Sequence, residues 1–551
     1  MDEAGIPASY LDASQQLQVQ YDEAAASGLI RPVLFPQCFL PIIILILSLV
    51  LKLPRKGLFK IVNYLSFGSI CYFSFSNILY CRMLGAANGF VFGAASFWYI
   101  VLSASLLLIN DPQRDFKRIE KRTIYLNSER REEVYHAGQI TATTSSASIS
   151  GSGIKGTLSE FPRRTTEKPG ETPTGHAFFP NEAQEICILS WQAYPDSFFH
   201  RLAWVSDLIF SMRGPGWNWR ISTIPKLPQS VSAQLDRHEI NEPEIIKLRD
   251  TKSAAKSVFV QLALNYMGLD LMKVLMMHDP YFWGVIPSPP PPPFDSLGIV
   301  GEFSNQIYRR ILPIGAIFCA ATCVISSISL FYLGVALWIP GVRVWVTIPL
   351  EAPWLHPDAF EPRLPYILDY GVLGFWSKWW HQLFRFTFLQ PSSWVYARLP
   401  RRLHKPLIRR TLQLYIVFGL SGLLHAAGSY TQLAPTNPFP NMFLFFFFQA
   451  PAIMFQGLVA KLVVAFLPFQ PPRWLRRLAN LVFFVAWGYF IGPLGADDWA
   501  KGGTWLIEPV PLSLLRGLGF GAEGQGWWYW KGPWFRWWHG EKWWDVGIQI
   551  L

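Results

Sequence analysis

The stretch TLQLYIVFGLSGLLHAAGSY (411–430) decides how this chain is read. It is apolar and long enough to cross the hydrocarbon core of a bilayer, which takes about 20 residues of helix. It also carries a histidine, His425. An ionisable side chain at membrane depth is costly, so by default it turns toward a bundle interior or a wet cavity and points to function. A second unusual stretch lies upstream, FWSKWWHQLFRF (375–386), with aromatics and cations wrapped around His381.

The composition agrees with a membrane setting. Of 551 residues, 51% are hydrophobic and only 15% are charged, against about 25% charged in an average soluble domain. Mean hydropathy is +0.21. The 25 tryptophans suit membrane–water interfaces. The net charge of +11 does not point to nucleic acid, because Lys and Arg cluster beside apolar runs, where orientation signals and anionic headgroups explain them. The six cysteines form no disulfide framework, and no zinc spacing appears; no metal is expected.

Apolar runs at 33–51, 61–80, 85–109, 257–277, 311–338, 411–430, 442–467 and 479–495 predict an all-α polytopic membrane protein. It has about eight transmembrane helices plus interfacial helices. Residues 1–30 read as a polar, acidic tail, with or without a short helix, that lacks the basic start of a cleavable signal, so the first span is expected to act as the membrane signal. Residues 31–109 form an N-terminal three-helix membrane segment. Residues 110–256 form a polar insert whose Ser/Thr/Gly/Pro-rich part, 141–175, is expected to be disordered. Residues 257–500 form the membrane core, and 501–551 a Trp-rich C-terminal segment. Basic groups follow the first, third, fifth and seventh runs. By the positive-inside rule the insert and 339–410 are cytosolic, and both termini lumenal.

Taken as one helix, 375–388 puts Lys378, His381 and Arg385 on one face and Trp376, Trp380, Phe384 and Phe388 on a neighbouring one. Such a helix either anchors at the interface with snorkelling cations or lines a cavity mouth where the cations hold the phosphates of an anionic co-substrate. In 411–430, Gly419, Gly422 and Ala426 share a small-residue face that permits close packing. Ser421 and Ser429 stand one turn either side of His425 and can hydrogen-bond it. His425 is either a packed polar residue or a general base that accepts a hydroxyl proton. Asp270 and Lys273 share one face of the fourth run, as a mutual ion pair or as a polar lining of a substrate cavity. The aromatics of RGPGWNW (213–219) and HDPYFW (278–283) are expected at the membrane interface.

FWSKWWHQ (375–382), followed by SGLLH (421–425) in an apolar span, resembles the wax synthase-like branch of the membrane-bound O-acyltransferases. RGPGWNW and DPYFW (279–283) are similar to stretches of fungal members. The resemblance covers roughly 195–500. It implies a multi-helix fold with a membrane tunnel, an acyl-CoA donor and a hydroxyl acceptor, with no bound cofactor. His425 matches the family's intramembrane catalytic histidine. His381 matches the second motif position, which is asparagine in sterol and diacylglycerol acyltransferases, and Trp380 and Gln382 flank it. Plant wax synthases often carry an acidic residue directly after the histidine, where this chain has Ala426. Fungal relatives are often similar to acetyltransferases that decorate terpenoid or polyketide secondary metabolites.

The resulting expectation is an endoplasmic-reticulum O-acyltransferase that moves an acyl group, acetyl favoured, from acyl-CoA to a hydrophobic alcohol. His425 is the base, His381 orients the thioester or stabilises its oxyanion, and Lys378 and Arg385 receive phosphates. The alternatives are a long-chain wax-ester synthase, or a transporter of a small molecule or lipid with His425 and Asp270 as its polar sites.

Overall fold

The computed structural model describes residues 7–52, 57–125, 185–237, 248–339, 341–342, 346–360, 365–467, 469–522, 525–530, 532–540 and 542–551. The stretch 141–175, expected to lack order, lies outside the described residues.

The elements in chain order are α1 (Tyr10–Ala26), β1 (Arg31–Phe35), α2 (Leu40–Val50), α3 (Leu58–Tyr80), β2 (Cys81–Arg82) and α4 (Phe90–Ser103). The insert supplies β3 (Arg118–Tyr125), β4 (Glu185–Gln192), α5 (Phe198–Phe210) and α6 (Gln229–Arg237). The core follows with α7 (Leu248–Met277), α8 (Gly298–Trp338), α9 (Pro365–Gly374), α10 (Arg385–Arg398), α11 (Pro406–Tyr430), α12 (Gln449–Phe466) and α13 (Arg473–Lys501). The chain closes with β5 (Phe535–His539) and β6 (Val546–Ile550). Among the described residues seven helical stretches are long and apolar enough to cross a membrane. They fall on α3, α4, α7, α8, α11, α12 and α13. The protein is thus an all-α polytopic membrane protein with little sheet.

The run expected as the first span, 33–51, is divided. Its first residues join a four-stranded sheet ordered β2-β1-β6-β5, and only α2 is an α-helix. Pro36 and Pro41 explain the division, since each lacks a backbone N–H, and Pro41 sits where a helix tolerates proline, in its first turn. Eleven helical residues reach about 16 Å, roughly half a hydrocarbon core. The chain nevertheless goes over and back. The Ser48 hydroxyl on α2 donates to Ser66 on α3 at 2.8 Å. β1 then pairs with β2, the strand that follows α3.

With α2 and the seven long stretches, both ends of the chain meet on one face. There the acidic segment expected to be a tail is a docked helix. Tyr10, Ala13, Leu17, Tyr21 and Ala25 form its buried stripe. The Tyr10 hydroxyl donates to the Leu506 carbonyl (3.0 Å) and to Glu508 (2.8 Å). Val33 of β1 lies opposite Ile550 of β6. The insert and residues 346–360 meet on the other face: Lys121 of β3 pairs with Glu351 at 2.6 Å, and the Tyr194 hydroxyl donates to the Leu49 carbonyl at the end of α2 (2.7 Å).

Two groups of aromatics expected at the bilayer interface are buried in protein. Trp217 is only 2% exposed and meets Trp204 of α5 edge-on at 4.8 Å. Trp219 packs on Phe386 at 4.3 Å. The chain turns into this cluster at Gly214, at φ +61°, where a Cβ would strike the Trp219 ring. The exit of α7 behaves similarly. Phe282 is buried, and Asp279 forms a two-armed ion pair with Arg309 of α8 at 2.7 and 2.8 Å. Arg309 also donates to the Pro289 carbonyl (2.9 Å) and the Ser288 hydroxyl (3.0 Å). The pair ties the α7–α8 corner to the proline-rich linker. Asp279→Ala strands a buried guanidinium, so a loss of about 3–5 kcal/mol is expected, read as a lower unfolding midpoint in detergent; an unchanged midpoint refutes the corner's structural role.

Candidate active site

The FWSKWWHQ stretch is not one helix. α9 continues through a wide turn, Phe375–Trp379, and ends as Trp380 turns extended (φ −62°, ψ 154°). Residues 380–384 form a short connection into α10. Side chains terminate the helix. Gln382 donates to the carbonyls of Trp376 (2.9 Å) and Trp380 (2.6 Å), and Arg385 donates to the Ser377 carbonyl (2.9 Å) and to Gln382 Oε1 (2.8 Å). These bonds satisfy carbonyls that a helix end leaves unpaired. The expected single face of Lys378, His381 and Arg385 is therefore broken. Lys378 lies over the rings of Tyr366 and Tyr370, 5.1 Å from each.

Beyond the break, His381 shares a cavity with His425. Both line one cavity of about 930 Å³ between α10, α11 and α12. Trp380, Gln382 and Arg385 line it too. The walls are mostly apolar and aromatic, with Phe384, Phe388, Phe418 and Phe446 among them. Lys378 instead lines an adjoining cavity of about 220 Å³ with Arg213 and Asp358, separated from the first by Trp380 and Gln382, which line both.

His425 is held by its backbone and one ring. Its Nδ1 lies 2.7 Å from the Ser421 carbonyl, a bond that requires the proton on Nδ1. The lone pair is then on Nε2. The imidazole stacks on Phe446 at 3.8 Å between centroids, tilted 21°. Neither expected serine hydroxyl serves it: Ser421 offers its carbonyl, and the Ser429 hydroxyl donates to Asp498 at 2.5 Å. Close packing of α11 rests on Gly422, where a Cβ would meet the Phe443 carbonyl, and on Gly428 against Phe90. Gly419 faces open space, so it takes no part in that packing.

His381 is enclosed by Phe360, Trp380 and Phe384, with ring centroids 5.3–6.0 Å away. Its Nδ1 is shielded from solvent and has no hydrogen-bond partner among the described residues. Burial, reinforced by His425 and Arg213, pushes its pKa down to about 3, so the ring is neutral near pH 7.

Asp270 and Lys273 are elsewhere and do not pair with each other. Asp270 accepts from the Ser513 hydroxyl and from the Leu515 N–H (3.1 Å), while Lys273 donates to the Trp505 (2.6 Å) and Ile507 (3.2 Å) carbonyls. Neither lines the cavity.

Three contributors escaped the sequence reading. Arg410 and Lys461 line the cavity, both exposed at its rim between α11 and α12. Gln449 accepts from both Trp376 (3.0 Å) and Trp487 (3.1 Å), fixing the wide turn against α12 and α13. Gln449 and Lys461 carried the same signal as His425, a polar residue inside an apolar run.

Residues 357–448 match the Membrane bound O-acyl transferase family. That region contains His381, Arg385, Arg410 and His425. Among curated proteins, the chain is similar to O-Mevalon transferase yanI of Aspergillus niger, 27% identical over 42% of this chain and 46% of that protein. It is similar to O-Mevalon transferase macI of Penicillium terrestre, at 27% identity with the same coverage of both chains. It is also similar to acetyltransferase eriL of Hericium erinaceus, 29% identical over 27% of this chain and 38% of that protein. The matched stretches thus span less than half the length of these relatives. No solved structure matches the chain.

The burial of His381 has a consequence for stability. A folded-state pKa lowered to about 3 means that the folded chain binds this proton less tightly than the unfolded chain. Its contribution to stability is complete above about pH 6.5 and is lost as pH falls from there toward 3. Between pH 7.5 and about pH 5 the unfolding midpoint of His381→Asn is expected to drop less than that of the native chain. Equal drops refute a neutral, buried His381.

Proposed function

We propose that the protein is a membrane-embedded O-acyltransferase that moves an acyl group from acyl-CoA to the hydroxyl of a hydrophobic acceptor. One observation carries the reading: the two motif histidines, separated in sequence and lying on different elements, line one apolar cavity. The family match over 357–448 supports the same chemistry.

His425 is the general base in this reading. The acceptor O–H donates to Nε2, and as the proton moves there the oxygen attacks the thioester carbonyl. The tetrahedral intermediate collapses with cleavage of the C–S bond, and the CoA thiolate takes the proton back from Nε2. The Nδ1–H bond to Ser421 holds the ring in the tautomer this needs and steadies the transient imidazolium. Neutral His381 donates one N–H to the oxyanion, and its unpartnered Nδ1 supports that role. Gln382 and Arg385 fix the turn that carries it. Asp270, expected as a cavity lining, has no part in the transfer. Direct transfer accounts for the residues without a covalent acyl-enzyme.

Arg385, Arg410 and Lys461 are the cations of this cavity, and the proposal seats the donor's phosphates on them; Lys378, drawn onto its tyrosines, is left out. Acetyl-CoA is the favoured donor; the eriL relative is named an acetyltransferase. The acceptor is a fungal secondary metabolite such as a terpenoid, as the wax synthase-like resemblance implies. The insert face is cytosolic in this reading, and the membrane is the endoplasmic reticulum.

The test uses purified protein, labelled acetyl-CoA and a panel of hydrophobic alcohols. His425→Ala is expected to lower acyl transfer by about 10²–10⁴-fold while the unfolding midpoint is kept. His381→Ala is expected to lower it by about 10²–10³-fold. Full transfer by a folded His425→Ala protein removes the catalytic assignment. The phosphate seat has its own check. Arg410→Ala with Lys461→Ala is expected to raise KM for acetyl-CoA about tenfold or more, since charge-assisted bonds to phosphate are the stronger kind, and to leave KM for S-acetyl-pantetheine, which lacks the nucleotide phosphates, unchanged. Equal effects on both donors place the phosphates elsewhere.

A further inference from the structure

α7 is apolar enough to cross a membrane, yet Tyr266, Asp270 and Lys273 stand at i, i+4 and i+7 along one side of it. All three bond to the segment that follows α13, in which short helical turns at Thr504–Leu506 and Arg516–Phe520 flank a non-helical stretch, 507–513. Tyr266 Oη donates to the Leu512 carbonyl (2.5 Å) and accepts from the Leu512 N–H (3.1 Å). Asp270 accepts from the Ser513 hydroxyl and the Leu515 N–H, and Lys273 donates to the carbonyls of Trp505 and Ile507. A second pass of chain continues the pairing: Leu512 bridges Trp528, the Ser513 N–H donates to the Trp527 carbonyl (3.0 Å), and the Tyr529 N–H donates to the Pro511 carbonyl (2.9 Å).

The depth of these contacts is readable from the helix. α7 ends at Met277, level with the buried Asp279–Arg309 pair. Tyr266 lies about 16 Å back along the axis, near the middle of a hydrocarbon core about 30 Å thick. The backbone at Leu512 therefore sits well inside the bilayer. By Phe520, whose carbonyl lies 3.1 Å from His278 Nε2, the chain has returned to the end of α7. Non-helical backbone at membrane depth requires protein partners for its N–H and C=O groups. The three polar residues of α7 supply them. The outward side is apolar: among the described residues Leu518 (65%), Phe520 (60%) and Trp528 (57%) are largely exposed.

We propose that residues 505–520, with 527–529 beside them, form a re-entrant segment set into the leaflet of the face that holds both chain ends, and that lipid acyl chains cover Leu518, Phe520 and Trp528. Tyr266, Asp270 and Lys273 are then a polar rail that makes this insertion possible. The proposal rests on α7 spanning the membrane and is independent of the acyl-transfer reading.

Photocrosslinking tests it in the full-length native chain. Leu518→p-benzoylphenylalanine is reconstituted in nanodiscs with an alkyne-tagged phosphatidylcholine and irradiated. Phe331 of α8, 65% exposed, is the lipid-facing reference, and Val19, on the solvent side of α1, is the aqueous reference. The expected lipid adduct at 518 is comparable to that at 331 and at least about tenfold above that at 19, as burial in hydrocarbon requires. A yield no higher than at Val19 overturns the proposal, and so does a crosslink to a second copy of this chain in place of lipid. Phe520→p-benzoylphenylalanine gives the same readout if the 518 variant does not reconstitute.

Discussion

Inside hydrocarbon no water is available to an unpaired polar group, and the core of this protein is arranged around that constraint. The His425 Nδ1–H goes to the Ser421 carbonyl, one turn back on the same helix. Gln449 receives two tryptophan N–H groups, from Trp376 and Trp487. Asp498, fully buried, receives the Ser429 hydroxyl and the Asn437 N–H (2.8 Å). These bonds tie α11, α12, α13 and the wide turn after α9 together. Packing alone would hold the same helices with less definite rotation, because lipid tails are as apolar as the side chains they would replace.

The same constraint explains what the sequence disclosed. A single polar residue in a long apolar run is conspicuous, so His425 was visible at once, and the eight apolar runs marked out the membrane core. Single residues could not disclose their partners. Asp270 and Lys273, three positions apart, look like an ion pair in a linear reading. They are answered instead by a backbone segment more than two hundred positions away, which no local pattern announces. Trp217 and Phe282 were misplaced for a related reason. Tryptophan and phenylalanine suit a membrane interface and a protein interior equally well, and only the packing against Trp204 and at the α7–α8 corner decides.

The broken helix at Trp380 carries a different lesson. The aromatic and cationic spacing of 375–388 is helical, and a helix there would have put His381 beside Lys378 and Arg385. The helix ends early because Gln382 and Arg385 reach back and occupy its terminal carbonyls. Side chains that cap a helix end are local signals, but neither glutamine nor arginine is a customary terminator as glycine is. The consequence is large for so small a change. Lys378 falls on one side of the Trp380–Gln382 wall and His381 on the other.

Selectivity in such a cavity follows from its walls. With His425 and His381 engaged by the reacting groups, what remains is a mainly apolar wall around about 930 Å³, with phenylalanine and leucine its commonest residues. An apolar wall discriminates a missing or extra methylene by only about 1–3 kcal/mol, whereas a site built to hydrogen-bond a particular group rejects analogues far more strongly. Apart from the rim cations, Ser377, Gln382, Thr411, Gln413 and Ser421 are the lining groups that can hydrogen-bond a hydroxyl away from the reacting centre. Under the proposed reaction, the apolar wall sorts the acceptor by shape, and these few positions by where its further hydroxyls lie. The donor is sorted by charge at the rim. Changes in the phenylalanine lining would then alter which alcohol is accepted without disturbing the histidine pair, which is how one catalytic arrangement could serve chemically different acceptors.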